Sequence, residues 1–110
     1  MKLSKSKKYL KKIKESRVYD VADVTPLSSA SYLSKEIKNN VFLKREDLQP
    51  VFSFKLRGAY NKISLIKNRS NVERVITASA GNHAQGVAYS ARKLKLKSTI
   101  VKTTERFRRY

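Results

Sequence analysis

The chain of 110 residues contains no cysteine and no tryptophan, and only two prolines and three glycines. The lack of cysteine excludes a disulfide framework and thiolate metal sites, and we expect no bound metal. No apolar run approaches the roughly 20 residues of a membrane-spanning helix, and no apolar segment follows the basic N-terminus as in a secretory signal. We therefore expect a cytoplasmic protein without a membrane partner.

Acidic residues are also scarce: the chain has eight Asp and Glu and 26 Lys and Arg, which gives a formal net charge of +18. The excess lies at the two ends, in residues 1–17 and 92–110, each with eight cationic side chains and one acid. Lys-rich runs are usually solvated, and few aromatic residues alternate with these charges, as nucleic-acid binding would require. Binding to nucleic acid is therefore a less favoured alternative.

The apolar pattern predicts alternating strands and helices. We expect strands near 41–44, 74–78 and 98–101, and helices near 29–38, 56–67 and 82–96. Strands separated by helical crossovers indicate a parallel α/β sheet. Residues 1–17 read as a basic N-terminal arm with a thin apolar stripe, which we expect to pack poorly.

Lys55 lies at a predicted strand-to-helix junction, in Ser53-Phe54-Lys55-Leu56-Arg57-Gly58-Ala59. Most lysines are solvated surface residues. A helix start is an unusual place for a structural cation, because the helix dipole disfavours positive charge there and favours an uncharged, nucleophilic amine. Gly58 is expected to let this helix pack closely.

A second motif follows about one helix later, in Ser79-Ala80-Gly81-Asn82-His83-Ala84-Gln85-Gly86-Val87-Ala88. Backbone N–H groups at a helix start bind anions, and a glycine allows a ligand to approach closely. His83 is the single histidine, and we favour an ordering role over a general base. In a parallel sheet both motifs would follow strand ends, where ligands bind, so we expect Lys55 and Asn82 to face one cleft.

Together these two motifs resemble the cofactor site of pyridoxal-phosphate (PLP) enzymes of the tryptophan-synthase-β type, and specifically of threonine dehydratase. The resemblance covers about residues 18–101, and Leu56 stands where cysteine and threonine synthases usually carry Asp. It implies a three-layer parallel α/β fold and the cofactor pyridoxal 5′-phosphate. It implies that Lys55 is the catalytic Schiff-base lysine, with Phe54 against the ring and Asn82 on its 3′-oxygen. The carboxylate of an amino-acid substrate would then lie on Ser79, Ala80, Gly81, Asn82 and His83.

The resemblance has limits. The family holds the cofactor phosphate in a glycine-rich loop, whereas the three glycines here, Gly58, Gly81 and Gly86, are never adjacent. Residues 102–110 do not resemble the family. We therefore interpret residues 18–101 as the N-terminal part of the PLP domain in a truncated threonine dehydratase of isoleucine biosynthesis, which converts threonine to 2-oxobutanoate and ammonia. We expect it to be inactive alone, although full-length relatives could be oligomers. A non-enzymatic remnant of such a gene is the alternative, and the sequence leaves threonine or serine open as substrate.

Overall fold

The computed structural model describes residues 2–102, with side chains from residue 5 onward. The predicted tail therefore lies outside the described residues, apart from Lys102. The helices are α1 (Lys2–Lys14), α2 (Ser31–Glu36), α3 (Lys55–Arg69) and α4 (Asn82–Lys93), and the strands are β1 (Leu27–Ser29), β2 (Phe42–Lys44), β3 (Arg74–Ala78) and β4 (Lys97–Val101). Two 3-10 turns cover Val18–Asp20 and Glu46–Leu48.

The chain is α/β, and β3 and β4 form the predicted parallel pair. Their register runs from Arg74 opposite Lys97 to Ala78 opposite Val101. Helix α4 connects the two strands, as a parallel pair requires. Val75 and Ile100 turn towards the helices, whereas Ile76, on the other face of β3, is 69% exposed.

The prediction that residues 41–44 form a third parallel strand is wrong. Strand β2 pairs antiparallel with β1 in a separate two-stranded sheet, with Leu27 opposite Lys44 and Ser29 opposite Phe42. We expected Ser29 to open a helix, but it lies in β1. The short helix α2 then reverses the chain within a few residues, which permits an antiparallel pair and excludes a parallel one.

The core lies between α3 and α4 and reaches down to the parallel sheet. One buried cluster joins α3 to the chain before β1 and to the loop that precedes α3: Val21, Ala22, Val51, Leu56 and Tyr60. A second joins the facing sides of α3 and α4: Ala59, Ile63 and Val87. Ala84 and Ala91 of α4 are buried as well, whereas Ile66, Ala88 and Leu94 are only half-buried.

Helix α1 adds little to this core. Every described residue from Lys5 to Glu15 is exposed, including Tyr9 at 66% and Ile13 at 67%. The expectation that the basic arm packs poorly is confirmed, and its apolar residues reach only the edge of a shallow groove beside Tyr19 and Gly58. Within residues 2–102, no helix is long and apolar enough to cross a bilayer.

Candidate active site

Lys55 is the first residue of α3 and is exposed. Its Nζ lies 4.4 Å from the centroid of the Phe54 ring, a cation–π distance. Phe54 is itself 58% exposed, so the amine and the ring stand together on the surface at the start of the helix. The loop before them takes an unusual path, because Phe52 has a φ of 56°, in the left-handed region that bulky residues avoid. Backbone strain of this kind concentrates at functional sites.

Lys55 does not follow a strand of the parallel sheet, so that part of our reasoning about its position is wrong. A polar network holds the start of α3 instead. Arg57 binds Glu46 with two hydrogen bonds, from Nε at 2.7 Å and from Nη2 at 2.9 Å. Thr25 Oγ1 donates to the same carboxylate at 2.7 Å. These bonds fix the first turn of α3 to two separate loops.

Gln49 completes the network and is only 1% exposed. Its side-chain amide accepts a hydrogen bond from the Asp23 N–H and donates one to the Asp23 carbonyl, both at 2.9 Å. The two bonds resemble those that a neighbouring β-strand makes to a residue. It also donates to Glu46 at 3.3 Å. The hydrogen bonds from Arg57 hold the pKa of Glu46 at about 2, against an ordinary value of 4.5. Thr25 and Glu46 thus have structural roles at the start of α3.

The second motif forms the turn from β3 into α4, which begins at Asn82. The Ser79 N–H donates to the Val101 carbonyl at 3.0 Å, which fixes the turn to the end of β4. The Gly81 N–H lies 3.3 Å from Ser79 Oγ. Ser79 is half-buried, whereas Ala80, Gly81, Asn82 and His83 are exposed. The first N–H groups of α4 have no acceptor inside the helix, so they are free to bind an anion.

Gly86 brings the two motifs together. A Cβ atom at Gly86 would lie 3.1 Å from the carbonyl carbon and oxygen of Lys55. Asn82 precedes Gly86 by one turn, about 6 Å along the helix. The starts of α3 and α4 therefore lie side by side. Space for a ligand is open there, since a Cβ at Gly81 would have no neighbour within 4 Å.

Sequence reasoning missed several residues of this region. Gly58, which we expected to allow close packing, has nothing within 4 Å of its Cβ position, and that role belongs to Gly86. A glycine inside a predicted helix was the available signal. No signal pointed to the burial of Gln49. Ser53, two residues before Lys55, has a buried hydroxyl without a partner among the residues that the structure describes.

A family model described as "Pyridoxal-phosphate dependent enzyme" matches residues 18–106. The chain belongs to this family. The cofactor of the family is pyridoxal phosphate, as the sequence predicted, and the comparisons favour neither nucleic-acid binding nor a non-enzymatic remnant. The residues present fit the aldehyde and ring of this cofactor, since the exposed Lys55 amine can bind an aldehyde and the adjacent Phe54 offers an aromatic face.

Curated relatives within the family are threonine dehydratases. The chain is 61% identical over 93 residues to the biosynthetic L-threonine dehydratase of Burkholderia multivorans, a match that covers 84% of this chain and 18% of the relative. It is 59% identical to a threonine dehydratase-like protein of Alternaria alternata, covering 84% of this chain and 23% of the relative. The chain thus spans about a fifth of the length of these relatives.

A solved structure supports the fold. The processed form of threonine deaminase isoform 2 from Solanum lycopersicum matches with a TM-score of 0.79 and 52% identity. The match covers 88% of this chain and 27% of that one. The likeness therefore extends beyond the two motifs to most of the described elements.

Proposed function

We propose that this chain carries the lysine-bearing part of a threonine dehydratase active site. The observation that supports it most is the contact of Gly86 with the Lys55 backbone, because Gly86 lies one turn after the start of α4, whose N–H groups can bind a carboxylate. The names of the relatives reported above support the same function. The reaction would be the conversion of L-threonine to 2-oxobutanoate and ammonia in isoleucine synthesis, in the cytoplasm.

Each site residue then has a separate task. Lys55 would hold the cofactor through its amine, and the same amine, when free, would take the proton from the substrate α-carbon. Phe54 would contact the cofactor ring, and the Asn82 carboxamide would donate a hydrogen bond to its 3′-oxygen. Pyridoxal phosphate, when bound, supplies an electron sink for the charge left at the α-carbon.

The turn from Ser79 to His83 binds the substrate carboxylate, mainly through backbone N–H groups. Gly81 leaves room for that approach, since its Cβ position is open. Asn82 and His83 are the first residues of α4, where the positive end of the helix dipole favours a negative charge. His83 orders this turn and is not required as a base, because Lys55 serves that purpose.

The domain boundaries are part of the same proposal. Residues 1–17 form the basic arm, residues 18–101 belong to the PLP catalytic domain, and residues 102–110 follow it, although the family match includes the first five of them. The amino acid bound is L-threonine, in line with the names of the relatives.

Titration of the purified chain with pyridoxal phosphate tests this proposal through the visible absorbance of the lysine-bound aldehyde. We expect a saturable signal that Lys55→Ala removes. Lys62→Ala, which changes another exposed lysine of α3, should retain it. With borohydride reduction as the readout, prior addition of L-threonine should lower the label on Lys55 at a lower concentration than D-threonine does. An equal signal in the wild-type chain and in Lys55→Ala would contradict the proposal.

A further inference from the structure

Helix α4 meets the start of α3 at a glycine. A Cβ atom at Gly86 would lie 3.1 Å from the Lys55 carbonyl carbon and oxygen and 3.3 Å from the Leu56 nitrogen. Gly86 has no positive φ, so its backbone does not require glycine. Alanine is much the better helix former at an interior position. The benefit of glycine here is therefore the missing side chain.

The other two glycines do not share this contact. Cβ atoms at Gly58 and Gly81 would have no neighbour within 4 Å. Gly58 also lies inside a helix, α3, only three residues after Lys55. It is thus a matched reference for Gly86, with the same residue type and secondary structure but open surroundings.

We propose that Gly86 is a positioning residue for Lys55. The absence of its side chain sets the distance between the Lys55 backbone and the first turn of α4, and so aligns the amine with the anion-binding turn that begins at Ser79. The inference rests on the proposed role of Lys55 and adds to it the element that holds this lysine in place.

The start of α3 has little freedom to adapt to a larger residue. The atoms that approach Gly86 belong to the backbone of Lys55 and Leu56, not to the end of a flexible side chain. Leu56 is fully buried, and Arg57 is bound to Glu46 at 2.7 Å. These separations are shorter than ordinary van der Waals contact, so an alanine would require the two helices to move apart by a few tenths of an ångström. Reactive groups must be held within about 0.5 Å of their productive positions, so a shift of this size uses much of that tolerance.

The test measures where pyridoxal phosphate labels the chain. Wild-type, Gly86→Ala and Gly58→Ala chains are incubated with pyridoxal phosphate, reduced with borohydride and mapped by mass spectrometry. The readout is the ratio of label at Lys55 to label at Lys62, which lies on the same helix and is also exposed. We expect a preference for Lys55 in the wild type and in Gly58→Ala, and at least a tenfold lower ratio in Gly86→Ala.

Loss of stability is controlled with Val87→Ala, which removes buried methyl groups next to Gly86 without changing the contact with Lys55. All samples contain trimethylamine N-oxide, which favours the folded state, and circular dichroism verifies that each variant is folded. The labelling ratio in Val87→Ala should equal that of the wild type.

Three results would overturn the inference: an unchanged ratio in folded Gly86→Ala, an equal fall in Val87→Ala, or a Gly86→Ala chain that stays unfolded under these conditions. A wild-type chain without preference for Lys55 would instead contradict the proposed function. The two failures are therefore distinguishable.

Discussion

Arg57 holds the first turn of α3, two residues after Lys55. Its pairing with Glu46 is bidentate and largely shielded from water, with side-chain exposures of 25% for Arg57 and 15% for Glu46. Lysine carries the same charge but cannot form the two parallel hydrogen bonds. We expect Arg57→Lys to lower the free energy of unfolding by about 1–2 kcal/mol.

Urea unfolding measures this change, and Arg45→Lys provides the matched control. Arg45 also forms a bidentate pair, with Asp47 at 2.9 and 2.7 Å, but on the surface. Exposed pairs contribute little, so the control should change stability by less than about 0.5 kcal/mol. Equal effects of the two substitutions would show that the Arg57 pair has no special role.

Glu46 makes the stability of the chain depend on pH. The hydrogen bonds from Arg57 lower its pKa from 4.5 to about 2. Because the folded pKa is depressed, this contribution is fully present above pH 4.5 and is lost as the pH falls towards 2. Between about pH 6 and about pH 3, the wild type should lose about 2 kcal/mol more than Glu46→Gln. Urea unfolding measures both losses, and an equal loss of unfolding free energy in the two proteins between these pH values would contradict this.

At the scale of elements, the sequence predicted interiors better than ends. Strand β3 has the predicted bounds, because its β-branched residues stand between a polar turn and Ser79. Helices α2 and α4 were predicted to continue to Lys38 and Leu96, but they end at Glu36 and Lys93. Lys38 and Lys95 have φ of 53° and 55°, the left-handed conformation that often follows the end of a helix. Glycine usually occupies such a position and marks it in the sequence, whereas a lysine does not mark it.

Strand β1 was missed for a related reason. Its residues, Leu27–Ser29, have weak strand propensity, and only their pairing with β2 makes them a strand. Gln49 and Gly86 likewise depend on tertiary contacts between distant segments, so local sequence patterns contain little information about them.

The helix end at Lys95 provides a test of its own. A left-handed backbone costs an L-residue roughly 1–2 kcal/mol, whereas glycine adopts it freely but loses more entropy on folding. We expect Lys95→Gly to raise the free energy of unfolding by up to about 1 kcal/mol. Lys93→Gly, at the last residue of α4 and without a positive φ, should lower it by less than the roughly 1 kcal/mol of a helix interior. Thermal unfolding of both variants would show opposite shifts, and a lower midpoint for Lys95→Gly would contradict the assigned conformation.

The molecule as a whole is open. Its radius of gyration is 17.6 Å, against about 13 Å for a compact domain of this length. No residue from Pro26 to Leu48 is buried, so the antiparallel pair and α2 have no core of their own. Lys55 and the Asn82 turn consequently stand on an accessible surface rather than in a closed cavity.

This openness predicts weak cofactor binding by the 110-residue chain. The sequence has no adjacent glycines, and therefore no glycine-rich loop to surround a phosphate dianion. Each charge-assisted hydrogen bond contributes about 1.5–3 kcal/mol, so the lack of several weakens binding by orders of magnitude. We expect a Kd of about 0.1–10 mM for pyridoxal phosphate and no detectable 2-oxobutanoate from threonine. Stoichiometric binding at micromolar concentration, with turnover, would contradict this.

The central claim is that Lys55 and the turn at Asn82 form one site. The most direct test is a titration of the ¹⁵N-labelled chain with pyridoxal phosphate, followed through the backbone amide signals. Residues 55–57 and 79–84 should shift together, with one common Kd, and Lys55→Ala should abolish both sets of shifts. Shifts confined to the lysines of α1, or to only one of the two helix starts, would contradict the claim.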